Sequence, residues 1–248
     1  MLERVTITGA DDDTDISELI KLNIEFPFVE WGILVSKVQE GGSRFPSRPW
    51  ISKFLKHLDF VKNLGPRDPA ISMHMCGGWV KELLMGHLDW NELPKDLWYT
   101  AGRIQINTHA EIHRSTVMLM DNLKELGKKN FIFQLDGVND HLLAAANGYE
   151  IHAEGLIDSS HGAGVLPVEW SSHPLQKNVI YLGYAGGLGP ENIAQELPKI
   201  DRLVNNLYYW IDMEGNIRTD EKLDLVKVRS VLEQVRASGF LLGWPERG

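Results

Sequence analysis

Short runs rich in β-branched and aromatic residues return along this chain at steady intervals, and helix-periodic stretches lie between them. The runs span Val5 to Thr8, Phe28 to Val35, Ala70 to Met75, Arg103 to Ile106, Phe131 to Leu135, Ile151 to Ile157, Val179 to Tyr184 and Leu207 to Met213, which makes eight candidate strands. Between them, Ile112, Thr116, Leu119, Leu123 and Leu126 recur every three or four residues, as do Ile193, Leu197, Ile200 and Val204, and then Leu225, Val228, Leu232 and Val235. Each set places one apolar stripe on one helix face. Asp15 followed three residues on by Glu18 predicts a capped start for the first helix, and Pro190 suits the first turn of the seventh because it has no N–H to leave unpaired. Regular strand and helix alternation demands parallel strands joined by crossovers, and eight such units close into a (β/α)8 TIM barrel. An open doubly wound sheet is the competing arrangement, but the Gly-x-Gly-x-x-Gly turn of a dinucleotide-binding sheet does not follow the first run.

The 248 residues suit one such α/β barrel spanning 1–248, with no linker rich in Pro, Gly or Ser to divide it. Gly86 to Gly102 and Ser159 to Gln176 exceed ordinary connections, and Trp90, Trp98, Pro167 and Trp170 predict that these excursions pack against the barrel. Lys and Arg total 25 against 34 for Asp and Glu, a net charge of −9 that repels a phosphate backbone and predicts no nucleic-acid partner. The lone Cys76 forms no internal disulfide, the start of the chain lacks a secretory pattern, and no apolar stretch approaches the roughly 20 residues of a membrane span. The expectation is a cytoplasmic protein without a membrane partner; oligomeric state is not legible.

In a barrel of this type the residues just past each strand face the active site. Here they are polar: Thr8 and Asp11 to Asp13, Lys37 and Arg44, His74 and Cys76, Asn107 and His109, Asp136, Asp158 and His161, and Asp212 with Glu214. From Tyr184 to Ile193 the chain reads YAGGLGPENI, where a strand ends on two glycines and a helix begins. Backbone N–H groups at such a junction hold phosphate, although a tight turn needing φ > 0 accounts equally well for the glycines.

Several ordered motifs together resemble those of phosphoribosylanthranilate isomerases, and more broadly of the ribulose-phosphate-binding barrels. ITG at Ile7 to Gly9 is similar to the family's Ile-Cys-Gly, GGSRFPS around Arg44 to its Ser-Pro-Arg-Tyr-Val-Ser, and IQIN at Ile104 to Asn107 to its Val-Gln-Leu-His. LIDSSHGAG at Leu156 to Gly164 resembles its Leu-Leu-Asp with a following glycine loop, and Ala185 to Ile193 its Ala-Gly-Gly-Leu-x-Pro-Glu-Asn-Val. WIDMEGNIRT, continued by LDLVKVRSVLEQV, resembles the last strand and helix. The resemblance implies a general acid at Asp158, a cation for a substrate carboxylate at Arg44, and a phosphate cradle on Gly186, Gly187, Gly215 and Asn216. His74, Asn107, Asp136 and Asp212 complete the expected substrate-binding set, and the expected ligand is a small phosphorylated metabolite.

Two departures stand out. Thr8 occupies the position of the family's cysteine base, and a hydroxyl does not titrate near neutral pH; Glu214 brings a negative charge to the phosphate loop. Asp12, with its neighbours Asp11 and Asp13, and Cys76 are candidate replacements for the base. The expected activity is therefore acid/base isomerisation of a phosphorylated sugar or sugar-amine, on a substrate altered from the family's. A catalytically silent barrel that binds such a metabolite is one alternative. Another is a metal-dependent epimerase-like enzyme using His74 with Glu30 or Asp136, while His109 and His113 lie four apart as a further possible ligand pair. No cofactor or metal is expected, and no strand carries the inward lysine of a Schiff-base aldolase.

Overall fold

The computed structural model describes residues 1–62, 68–108, 116–127, 129–158, 163–171 and 181–243. Eight parallel strands close into one barrel in sequence order: β1 (Leu2–Thr8), β2 (Val29–Val35), β3 (Ala70–Met75), β4 (Arg103–Ile106), β5 (Asn130–Leu135), β6 (Ala153–Asp158), β7 (Tyr181–Ala185) and β8 (Tyr208–Met213), with β8 returning to pair with β1. The expected (β/α)8 barrel is thus the observed fold.

Helices α1 (Ile16–Glu25), α2 (Arg48–Val61), α3 (Gly78–Met85), α4 (Lys95–Thr100), α5 (Thr116–Glu125), α6 (Asp140–Gly148), α7 (Ile193–Val204) and α8 (Leu225–Ala237) lie along the connections. Local chemistry fixes their starts. The Asp15 carboxylate accepts from Ser17 N at 2.8 Å, Ser47 Oγ accepts from Trp50 N, and Asp224 accepts from Val226 N and Lys227 N. Two differences from the sequence reading concern boundaries. The helix after β7 begins at Ile193 rather than at Pro190, because Asn192 first folds back to accept from Gly189 N through its side chain at 2.9 Å. The excursion from Gly86 to Gly102 contains a helical segment, α4, which buries Leu97 and Trp98. Trp98 meets Trp90 edge to face at 5.3 Å, and buried Trp170 meets Tyr184 at 5.9 Å, so the first excursion and the described part of the second, 163–171, are held by aromatic contacts. Among the described residues no helix is long and apolar enough to cross a membrane.

Strand alternation divides the barrel into two environments. Outward residues such as Val5, Ile7, Trp31, Ile33, Met73, Ile104, Phe131, Phe133 and Ile211 are buried under the helices and form the main apolar core. Inward positions are largely polar: Arg4, Thr6 and Thr8 on β1, Glu30 on β2, Ser72 and His74 on β3, Arg103 and Gln105 on β4, Glu154 and Asp158 on β6, and Asp212 on β8. Ile132, Leu156 and Trp210 make the only separate apolar cluster among the described residues.

Arg103 organises the middle of this interior. Its guanidinium donates to Glu30 Oε1 at 3.0 Å and also to Oε2, to Glu154 Oε2 at 2.6 Å and to Thr6 Oγ1 at 3.3 Å, and it lies 4.0 Å from the Trp210 ring centre. Arg4 adds a second cation, 3.1 Å from Glu30. Burial alone would raise the Glu30 carboxyl, yet the two arginines outweigh it and hold the group at about 2. Gly183 makes room for the indole: a Cβ there would stand 2.3 Å from Trp210.

Candidate active site

The site is assembled at the ends of the strands, above the arginine layer. Thr8, His74, Asp158 and Asp212 all reach the carboxyl-terminal rim as inward, buried side chains. Thr8 Oγ1 donates to Asp212 Oδ1 at 3.0 Å, across the seam where β1 meets β8. His74 stands next to them over Gly32. A Cβ on Gly32 would approach Thr8 Oγ1 to 2.3 Å and the His74 ring to 2.9 Å, so the missing side chain on β2 lets the β1 and β3 groups share one volume.

Protonation follows from burial. Desolvation pushes His74 down to about 4, leaving a neutral imidazole at physiological pH whose Nε2 lies 3.0 Å from Ser72 Oγ. Desolvation pushes Asp212 up to about 7; the Thr8 hydrogen bond acts against this shift, and the charge of Glu214 adds to it. A carboxyl raised in the folded state contributes stability that is complete below its ordinary value near 3.8 and is lost as pH rises through 7. Asp212→Asn removes that loss, so its stability relative to wild type is expected to improve by a few kcal/mol between pH 4 and 7.5. Urea midpoints of the two proteins across that range check it; parallel pH profiles would contradict it.

The remaining sequence candidates separate into those at the mouth and those committed elsewhere. Asn107, half-buried beyond β4, accepts from Gln105 Nε2 at 2.8 Å and donates to Cys76 Sγ at 3.1 Å. Burial pushes the Cys76 thiol up to about 11, which argues against its service as a base. Asp12 is exposed, and its carboxylate accepts from Ser47 N at 2.7 Å, so it braces the loop before α2 and does not join the inner wall. Asp136 likewise caps its own loop, accepting from Val138 N and Asn139 N at 2.9 and 2.8 Å. Glu30 is held by the interior arginines, and among the described residues no group of three or more His, Cys, Asp and Glu is placed to hold a metal ion. His109, His113 and His161 lie outside the described residues.

Arg44 adopts φ of +61° on an exposed loop, and its guanidinium donates to Glu214 at 2.8 Å. The negative charge that Glu214 brings to the β8 loop is therefore balanced by the cation expected to attract substrate. Arg218, which sequence reasoning missed, lies close by. It donates to Gly9 O, to Ser43 Oγ at 2.9 Å and to Glu221 O, tying the loops after β1, β2 and β8 together. Gly9, at φ of +104°, was the available signal: a Cβ there would stand 2.7 Å from the Arg218 guanidinium.

At the other side of the rim, Gly186 and Gly187 have φ of +119° and +63°. A Cβ on Gly187 would lie 2.3 Å from Leu166 N, so the loop after β6 crosses these glycines closely; one on Gly186 would lie 3.6 Å from Asp158 Oδ1. The Gly187 carbonyl accepts from Asn192 Nδ2 at 2.7 Å and Asn216 Nδ2 at 2.6 Å, which joins the β7 and β8 loops where the cradle was expected. Gly215 itself borders open space.

No protein-family model matches the chain, and a search of curated proteins found no match. Solved structures do match. Phosphoribosylanthranilate isomerase from Thermotoga maritima aligns with a TM-score of 0.55 and 14% identity over 94% of this chain and 99% of its own. The enzyme of the same name from Pyrococcus furiosus gives 0.54 and 12% over 94% and 98%. D-psicose 3-epimerase from Clostridium cellulolyticum gives 0.51 and 11% over 97% and 100%. At these identities the likeness is one of architecture, and the chain is a (β/α)8 barrel of the form seen in phosphoribosylanthranilate isomerases.

Proposed function

We propose that this protein is an acid/base isomerase acting on a small phosphorylated sugar or sugar-amine. The observation that carries the reading is the convergence of Asp158, His74, Thr8 and Asp212 as buried inward groups on one rim of a barrel that resembles phosphoribosylanthranilate isomerases. In this reading Asp158 is the proton donor to the substrate oxygen. His74, uncharged, and Asn107 hold hydroxyl groups, and Arg44 attracts an anionic substituent in exchange for Glu214. The phosphate is assigned to the rim at Gly186, Gly187, Gly215 and Asn216, beside the loop at Leu166.

A panel of ribose 5-phosphate, ribulose 5-phosphate and phosphoribosyl anthranilate tests the reading. One member is expected to turn over, with the rate falling about 10²–10⁴-fold in Asp158→Asn. Equal turnover by that variant would contradict the assigned acid. A silent binding barrel draws support from the Arg44–Glu214 pair, which already satisfies the mouth's cation; thermal stabilisation by the panel without turnover is its signature.

A further inference from the structure

Thr8, at the end of β1 where the resemblance implies a proton acceptor, commits its hydroxyl to a carboxylate on the neighbouring strand. Resting on the acid/base reading above, we infer that Asp212 is the group that removes the substrate proton and that Thr8 is the positioning residue that aims it. Among the described residues no other side chain donates to the Asp212 carboxylate, so the 3.0 Å bond to Thr8 alone fixes its orientation. Gly32 leaves the space into which both Thr8 and His74 project, beside the carboxylate.

The charged and titratable surroundings agree with this role. Burial raises Asp212, Glu214 from the following loop and Glu30 from β2 add to the effect, and Thr8 on β1 and Arg103 on β4 moderate it. His74 on β3 is neutral and adds no charge. The outcome, about 7, is where a base is half ionised at physiological pH and still accepts a proton readily.

The chemistry balances with the chain's own groups. The Asp212 carboxylate takes the proton from the carbon next to the substrate carbonyl and becomes a carboxylic acid. The C–H electron pair forms the C=C bond of an enediol, and the carbonyl oxygen receives a proton from Asp158. Return of the Asp212 proton to the adjacent carbon, with loss of the neighbouring hydroxyl proton to the Asp158 carboxylate, gives the isomer and restores both residues.

The experiment follows solvent deuterium entering the carbon next to the carbonyl of ribulose 5-phosphate or ribose 5-phosphate by NMR. Wild type is expected to exchange with an apparent ionisation near 7, and Asp212→Asn to lose at least about 100-fold. Thr8→Ser keeps the rate within tenfold. Thr8→Val moves the ionisation upward, because the hydroxyl that favours the carboxylate is gone, a change that mere loosening of the fold would not produce. A carboxyl-carbon titration of wild type supplies the same ionisation if Asp212→Asn does not fold, and a midpoint below 5 would overturn the inference. Exchange retained in Asp212→Asn but lost in Asp158→Asn overturns it while leaving the sugar-phosphate reading intact. Stabilisation without exchange overturns Asp212 as a base and leaves ligand binding. Neither exchange nor stabilisation overturns both.

Discussion

Replacing Arg103 with leucine is expected to destabilise the barrel by about 3–5 kcal/mol, the usual consequence of removing one partner from a buried ion pair. The variant leaves Glu30 and Glu154 facing each other's charge in a volume shielded from water, with Thr6 and Arg4 the remaining donors to Glu30 among the described residues. Acid should reduce the deficit. In wild type Glu30 is held at about 2, so its contribution is present above the ordinary value near 4.5 and disappears as pH falls toward 2. In Arg103→Leu, protonation relieves the uncompensated carboxylate instead, and the two proteins should converge in stability below pH 4. Chemical denaturation at pH 7 and pH 3.5 measures both effects. Simultaneous apolar replacement of Arg4, Glu30, Arg103 and Glu154 should recover most of the loss, because the cost comes from stranded charge and not from the absence of the pairs themselves. A loss below about 1 kcal/mol in the single variant would mean that water reaches this layer.

Phosphoribosyl anthranilate is expected to be a poor substrate. The rearrangement that the resemblance implies needs an acid at the ribose ring oxygen and a base at C2, and a positioned proton-transfer group contributes about 10²–10⁴-fold. With a threonine at the first-strand position, the barrier for that substrate should stand roughly 3–5 kcal/mol higher than with a base there. Asp212 stands on β8 rather than β1, so the base proposed above is expected to meet a bound sugar from a different direction than a group at position 8 would. Thr8→Cys should therefore raise turnover of phosphoribosyl anthranilate while lowering any exchange that depends on the Thr8–Asp212 bond. Steady-state assays of both proteins decide it. Ordinary enzyme rates in wild type would refute the expectation, and the variant among Asp12→Asn, Cys76→Ser and Asp212→Asn that then lost activity would locate the operative base.

The barrel was legible because β-branched runs and three-and-four spacing are set by local burial, which recurs in each strand and helix unit. Smaller elements escaped for the same reason. Arg218–Thr219 and Lys222–Leu223 form a two-stranded hairpin too short for any periodic signal, and α4 has only two buried residues. The polar rim could be read as strand ends, but its internal partnerships could not. Thr8 and Asp212 are 204 residues apart, and their pairing depends on a register that only closure of the sheet defines. Asp12 and Asp136 looked equally chemical in sequence; backbone N–H groups nearby claim both, a competition that residue type alone does not reveal.

The seam between β1 and β8 is expected to close late in folding. A chain can build β1 through β7 by adding neighbours one unit at a time, but the last contact joins its two ends and must overcome the loop-closure entropy of nearly the whole molecule. Leu2 is then gripped from the far end of the chain, donating to Phe240 O and accepting from Leu242 N. The Thr8–Asp212 pair sits on that same seam, so an open, partly assembled barrel carries both residues yet lacks the side-chain hydrogen bond between them, along with the backbone ladder that brings them together. The bond proposed to aim Asp212 is therefore expected to form only as the ring closes.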